Sequence, residues 1–277
     1  MAKMSLRRKL AISSWSAPKE GNIYGKLTVD ATELLKYIQH IRDKTGNKVT
    51  ITHLVGKVVA EALKEAPGLN GRIFLGRFIP HETIDVTYLV ALEDGNNLAK
   101  AKIENADQKS MLDIADDLRA LAERLRKGKD DNFNKTQDPL KWLPTFLIKP
   151  LVWTVGYLSS AMGLSIKALG VEKFPFGSAI ITSVGMFGLD EGFAPPTPFA
   201  RVPLYVLVGA VKRRPAFVDD ELINQPQLTI TATIDHRFVD GFQAGKLANR
   251  ARALLENPWL LDEDESPSLP AASEKGE

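Results

Sequence analysis

Three runs of β-branched and aliphatic residues in the second half of the chain restrict the fold most strongly. They span residues 178–184, 204–211 and 227–234, and each has the length and the Ile, Val and Thr content of a strand. A similar run at 84–92, which Asp94-Gly95 ends, predicts a fourth strand. Since these apolar side chains need a covering layer, we expect a sheet packed against helices.

Helical periodicity predicts the covering layer. Apolar residues recur at helical spacing from about residues 29, 52 and 111, and again over 243–256. We expect the first helix to begin with a capping box of Asp30 and Glu33, to end at Gly46, and to bury one apolar stripe: Leu34, Leu35, Ile38 and Ile41. Ser110 to Asp113 is a second cap signal. Because helices come first and strands interleave later, we predict an α/β fold, a two-layer sandwich in which helices cover a mixed β-sheet.

The composition predicts one globular unit followed by a polar tail. From residue 262 onward Ser, Pro and acidic residues dominate, and six acids stand against one lysine, a net charge of −5. The overall charge is +2, so residues 1–261 carry +7. We therefore expect one domain over 1–261 and a disordered acidic tail over 262–277. The mildly basic body suits an anionic ligand but falls short of a nucleic-acid-binding surface, so we expect no nucleic-acid partner.

The absence of cysteine and the start of the chain exclude further classes. Without cysteine there is no disulfide, no thiolate nucleophile and no Cys-ligated metal, which suits a reducing compartment. The N-terminal residues lack the apolar core of a secretory signal, so we expect a cytoplasmic protein. None of the four histidines (His40, His53, His81 and His236) is paired at a metal-ligand spacing, and we expect no metal.

An apolar stretch at 139–170 fits the predicted sandwich less well. Its uncharged part, residues 150–166, is 17 residues long, the lower limit for a membrane span. We favour a core or subunit-interface insertion over the other interpretations: the lining of an acyl tunnel, peripheral contact with a membrane, and a full span. The flanking cations would suit anionic lipid headgroups: Lys135, Lys141, Lys149, Lys167 and Lys173.

His236 is the histidine best placed for chemistry. It follows an apolar strand directly, and Asp240-Gly241 come four and five residues later. A neutral imidazole at a strand end can act as a base, the carboxylate can organise the loop, and the glycine permits a tight turn into the next helix. The bare H-x-x-x-D-G pattern is short, and it is as often structural as catalytic.

The residues around His236 resemble a known family. Residues 235–241, DHRFVDG, are similar to the DHRxxDG signature of the dihydrolipoyl acyltransferases of 2-oxo acid dehydrogenase complexes. Residues 180–188, IITSVGMFG, resemble that family's TISNLGMFG strand and turn. Further similar segments occur in the family's order, at residues 7–11, 30–32, 203–211 and 254–258. The resemblance covers residues 5–261.

This resemblance implies a chloramphenicol acetyltransferase-like fold and a homotrimer with active sites between subunits. It implies coenzyme A or acyl-CoA as substrate and His236 as the general base. Thr182 matches a family serine whose hydroxyl stabilises the tetrahedral oxyanion, while Ser183 stands at a family asparagine and is the alternative donor. Asp240 is the motif's structural acid, with Gly241 beside it and Arg7 as a candidate partner. His236 and Thr182 are then expected to meet across a subunit boundary.

The chain also departs from the family pattern. We expect no lipoyl domain before the catalytic start and no covalently bound lipoyl group, and an acceptor that is a lipoyl domain in trans or a hydroxyl. Residues of about 133–173 replace a short connection in the complex enzymes. We therefore expect a free-standing trimer rather than a large core.

The leading functional hypothesis is a coenzyme A-dependent acyltransferase, and two alternatives stay open. One is a catalytically silent trimeric scaffold, suggested by the missing lipoyl arm and the changes at Thr182 and Ser183. The other is a membrane-associated acyltransferase, suggested by 139–170 alone.

Overall fold

The computed structural model describes residues 21–92, 97–126 and 143–262, and the elements below lie within them. The strands are β1 (Asn22–Asp30), β2 (Gly71–Phe74), β3 (Arg77–Pro80), β4 (Val86–Leu92), β5 (Asn97–Ile103), β6 (Ala179–Ser183), β7 (Leu204–Val218) and β8 (Glu221–Asp235). The helices are α1 (Thr32–Thr45), α2 (Ile51–Leu63), α3 (Met111–Arg126), α4 (Thr145–Gly156) and α5 (Gly241–Glu256).

The main sheet has six strands in the order β1-β8-β7-β6-β4-β5, and β2 and β3 form a separate hairpin. β6 runs parallel to both β4 and β7, while the other pairs are antiparallel, so the sheet is mixed. Apolar residues of α1, α2, α3 and α5 share one core with alternate residues of these strands. The predicted α/β sandwich with a mixed sheet is confirmed.

The two faces of the sheet differ in chemistry, as strand alternation requires. On β8, Leu228, Ile230 and Ile234 point into the core beneath the helices. Thr229, Thr231 and Thr233 alternate with them and are buried on the opposite face. We call this opposite face the outer face. A smaller apolar cluster forms there, made of Ile180, Ala200, Val202 and Tyr205.

A loop that follows β6 covers part of the outer face. Its Asp190 carbonyl lies where a Cβ on Gly209 would stand, only 1.9 Å away, so that strand position accepts glycine alone. Leu189 accepts a hydrogen bond from the Ala210 N–H at 2.9 Å, and Gly192 accepts one from the Thr231 hydroxyl. These contacts fix the loop over the strands that carry the predicted site.

The predicted start of the first helix is wrong. Asp30 is the last residue of β1. Its Oδ1 accepts hydrogen bonds from the Thr32 N–H (2.8 Å) and hydroxyl (2.6 Å), and these local bonds stabilise the turn that follows the strand. Glu33 bonds Lys36 and Trp259 instead of closing a capping box. Leu34, Ile38 and Ile41 are buried as predicted, whereas Leu35 is exposed. Gly46 ends the helix in the left-handed conformation, as predicted.

Other sequence-based elements are confirmed, with one difference in length. Ser110 and Asp113 form a reciprocal capping box, since each side chain accepts the other's N–H at 3.1–3.2 Å. β7 and β8 extend well beyond 204–211 and 227–234 into a long hairpin. Its far end carries the exposed Phe217 and turns at Asp219 and Asp220, both with positive φ.

Some of the predictions concern residues outside the described ranges. They are the role of Arg7, the part of the insertion at residues 133–142, and the acidic tail from residue 263 onward. Within the described part of the chain, no helix has both the length and the apolar content that crossing a bilayer requires.

Candidate active site

The end of β8 carries His236. Asp235, the last residue of the strand, pairs with Asn22 of β1, and the His236 N–H donates to the Gly21 carbonyl at 3.2 Å. The backbone at His236 is therefore tied to the neighbouring strand. The imidazole itself is exposed, and no group in residues 21–92, 97–126 or 143–262 hydrogen-bonds it. Among the residues that the structure describes, the ring is therefore free to meet a substrate or a second chain.

An ion pair between the residues on either side of His236 shapes the turn. The Asp235 carboxylate is nearly buried, and it accepts hydrogen bonds from Arg237 through the backbone N–H (3.0 Å), Nε (3.0 Å) and Nη2 (2.5 Å). A buried carboxylate needs such partners, and a bidentate guanidinium also fixes geometry. Phe238 then packs edge-on against Phe78 of β3, with ring centroids 6.2 Å apart.

Sequence reasoning missed the roles of Asp235 and Arg237. The signal was present, because opposite charges two residues apart at the end of an apolar strand favour a local clamp. We infer that the Asp235–Arg237 ion pair, formed by the two neighbours of His236, holds the backbone of His236 in place.

Asp240 caps the helix that follows the motif. Its Oδ1 accepts a hydrogen bond from the Gln243 N–H at 3.0 Å, which satisfies a free donor of the first turn of α5. Gly241 is the first residue of α5, but its φ is not positive, and a Cβ there would meet nothing within 4 Å. The tight-turn role expected for Gly241 is therefore not seen in the backbone.

Thr182 and Ser183 point to opposite faces of β6. Thr182 alternates with Ile181 of the helix-side core and shares the outer face with Ile180, whereas Ser183 lies on the helix side. Both side chains are half-buried. Since the two hydroxyls lie on opposite faces, a site on one face of the sheet can use only one of them.

The sheet register keeps Thr182 and His236 apart within one chain. Thr182 pairs with Leu207, and Leu207 pairs with Thr231, so Thr182 lies two strands away from β8 and level with Thr231. Asp235 lies four residues further along, about 13 Å along the strand and about 10 Å across it. The Cα atoms of Thr182 and Asp235 are then about 16 Å apart, and His236 lies one residue further on, so the side chains of Thr182 and His236 cannot meet within one chain.

The other histidines are packing residues. Burial, with help from Arg119 and Arg42, lowers the pKa of His53 to about 4. Burial also lowers the pKa of His81 to about 4, and its ring lies 4.7 Å from that of Phe174. His40 packs edge-on against Trp259. Among the described residues no cluster of three His, Asp or Glu side chains is arranged to hold a metal ion.

An apolar cavity of about 140 Å³ lies between α2, α5 and the sheet. Its walls are aliphatic, for example Val55, Leu204, Ile230 and Leu247. None of the predicted site residues lines it, so this cavity is a gap in the core and lies apart from the candidate site.

The comparison with protein families identifies the chain. The family of the 2-oxoacid dehydrogenase acyltransferase catalytic domain matches residues 7–133 and 164–262. The chain belongs to this family. The predicted family is thus confirmed, and it is a family of enzymes. Residues 134–163, which include α4, lie between the two matched stretches.

A curated relative shows the extent of the similarity. The succinyltransferase component of the 2-oxoglutarate dehydrogenase complex from Saccharomyces cerevisiae is 25% identical over 236 residues. The match covers 83% of this chain but 41% of the yeast protein, so the chain spans about two-fifths of that relative's length.

Solved structures share the fold. A probable dihydrolipoamide acetyltransferase from Listeria monocytogenes superposes with a TM-score of 0.70 at 24% identity, covering 96% of this chain and 97% of that one. The cubic core of a pyruvate dehydrogenase multienzyme complex gives 0.64 at 21% identity, covering 92% and 87%. Chloramphenicol acetyltransferase gives 0.50 at 10% identity, covering 91% and 96%. The predicted chloramphenicol acetyltransferase-like fold is confirmed.

Proposed function

We propose that this chain transfers an acyl group between coenzyme A and a thiol or hydroxyl acceptor, with His236 as general base. One observation carries the proposal most directly: an exposed imidazole whose backbone is held by β1 on one side and by the Asp235–Arg237 clamp on the other. Membership of an acyltransferase family supports the same chemistry. A lipoyl domain supplied in trans is the thiol acceptor that the family relationship favours.

The reaction needs a base because the acceptor is protonated at neutral pH. A thiol with a pKa near ~8.5 is only a few per cent thiolate at pH 7, and a hydroxyl is far less ionised. His236 takes the proton as the acceptor's sulfur or oxygen attacks the acyl carbonyl of acyl-CoA. The tetrahedral intermediate then expels the coenzyme A thiolate, which recovers the proton from the imidazolium. A positioned histidine contributes about 10²–10⁴-fold to such a step.

We assign the oxyanion donor to Thr182 of the partner subunit. The separation of about 16 Å within one chain excludes an intramolecular pair, and the exposed His236 leaves space for a second subunit beside it. A hydroxyl that donates to the oxyanion is worth roughly 10²–10³-fold. Ser183 is the second candidate donor, on the other face of β6. The assembly is proposed to be a homotrimer with one site at each of its boundaries.

The test is release of coenzyme A thiol from acyl-CoA, with dihydrolipoamide or a purified lipoyl domain as acceptor. We expect His236→Ala to lower turnover by at least about 10²-fold, while His40→Ala, which removes a ring that packs against Trp259, leaves it unchanged. Equal turnover of the wild type and His236→Ala would refute the assignment. If the protein forms a stable trimer but calorimetry detects no binding of coenzyme A, the scaffold alternative is supported instead.

A further inference from the structure

Helix α4 is apolar on two sides. Ile148 and Gly156 are buried on its inner side, where Gly156 lies so close to Phe199 that a Cβ would be 2.5 Å from the Phe199 carbonyl oxygen. The outer side carries Phe146 and Trp153, both exposed. A surface helix normally presents polar residues to solvent, and one that is apolar all round has its second side covered.

Four of the exposed apolar residues, three on α4 and one directly after it, form one continuous stripe. Phe146, Pro150, Trp153 and Tyr157 follow one another at spacings of four, three and four residues, which places them on one side of the helix. Phe146 is 74% exposed, Tyr157 39% and Trp153 37%. We call these four residues the outer stripe.

The charges around the outer stripe are basic. Lys149 lies beside it on α4, and the Arg201 guanidinium sits 5.1 Å from the centre of the Tyr157 ring. Residues 143–171 contain two lysines and no Asp or Glu. Within the described ranges, no carboxylate pairs with Lys149 or Arg201. In the described part of the chain, the stripe therefore combines aromatic side chains with positive charges that no carboxylate pairs with.

We propose that the outer stripe binds the surface of a membrane that contains anionic lipids. Aromatic residues with lysines at their edge are the composition of helices that lie in the lipid headgroup region. The 12 residues of α4 extend about 18 Å, short of the about 30 Å of a bilayer core, so the helix would lie along the surface. A second copy of the chain fits the stripe less well, because two identical stripes in contact would bring the positive charges of Lys149 and Arg201 close to those of the other copy.

This proposal goes beyond the proposed acyl transfer. α4 lies within residues 134–163, between the two stretches that the family matches, so the stripe is not part of the matched catalytic domain. Membrane binding would hold the enzyme at a surface without taking part in the acyl transfer. Each activity can fail without the other.

The experiment is co-sedimentation of the full chain with vesicles of phosphatidylcholine, with and without phosphatidylglycerol. We expect binding to the anionic vesicles that weakens as salt is added. The double variant Phe146→Ser/Trp153→Ser should lower the partition coefficient by about tenfold or more, since it removes two insertable rings. Lys149→Gln should lower it by about fivefold, the effect of one charge near a lipid surface.

The matched control is Phe217→Ser, which removes an equally exposed ring from the far end of the β7–β8 hairpin and should bind like the wild type. Circular dichroism melting confirms that each variant is folded. Absence of wild-type binding, or equal binding by the double variant and Phe217→Ser, would overturn the proposal. So would a smaller assembly of the double variant in light scattering, because the stripe would then be buried between copies.

Discussion

Two variants that are each inactive are expected to restore activity when their subunits are mixed. His236→Ala removes the base and keeps Thr182, whereas Thr182→Val removes the hydroxyl and keeps His236. The register of β6, β7 and β8 separates the two positions by about 16 Å in one chain, so a working pair needs residues from two chains. An interface between the two variants can therefore contain one intact pair.

The size of the effect follows from the same geometry. Alone, His236→Ala should lose about 10²–10⁴-fold in turnover and Thr182→Val about 10²–10³-fold. In a random mixture of equal parts, about one interface in four of a cyclic assembly brings together an intact His236 and an intact Thr182. The mixture should then regain about a quarter of the wild-type turnover, at least an order of magnitude above either parent.

The assay follows thiol release after the two proteins are unfolded, mixed and refolded together. The control mixes His236→Ala with the double variant His236→Ala/Thr182→Val, in which no interface can be intact. Light scattering and a size tag on one partner establish that mixed assemblies form. Mixed assemblies without recovered turnover would refute a site shared between subunits.

Three further predictions concern the hydroxyl, the helix cap and pH. Thr182→Ser should keep most of kcat while Ser183→Ala has little effect; a large loss only in Ser183→Ala would move the donor role to Ser183. Asp240→Ala should lower the free energy of unfolding in urea by about 1 kcal/mol, and Asp240→Asn, which can still cap, by much less. Burial holds the pKa of His53 and His81 near 4, against 6.5 for an exposed histidine, so both are neutral in the folded chain. Because only the unfolded chain takes up these protons, stability is complete well above pH 6.5 and should fall, by about 3 kcal/mol per histidine, as the pH drops from 6.5 towards 4. A flat urea midpoint over that range, or an unchanged slope in His53→Gln, would contradict this.

Strong local patterns predicted most of the fold. The predicted strands β6, β7 and β8 and the capping box at Ser110 are all present in the structure. Each is marked by a short, continuous pattern that is compatible with one kind of secondary structure. β1 was missed, although its alternation of polar residues such as Lys26 with apolar ones is the period-two pattern of a half-buried strand. Asp30 was assigned to a helix cap, although its carboxylate serves the turn between β1 and α1.

The candidate site shows a different limit. The sequence could indicate His236, Asp240 and Thr182, because each stands in a recognisable pattern at the end of an element. It could not show that Thr182 and Ser183 face opposite ways, or that β7 lies between β6 and the strand that leads into His236, since both depend on register and strand order. Those long-range pairings arise from packing of the whole sheet.

The order of strands in the sheet has a consequence for regulation by concentration. If base and oxyanion donor always come from different chains, dilution of the protein below the dissociation constant of the assembly silences every site. Catalytic output would then rise more steeply than in proportion to the amount of protein, and a cell could switch the enzyme off through expression level alone.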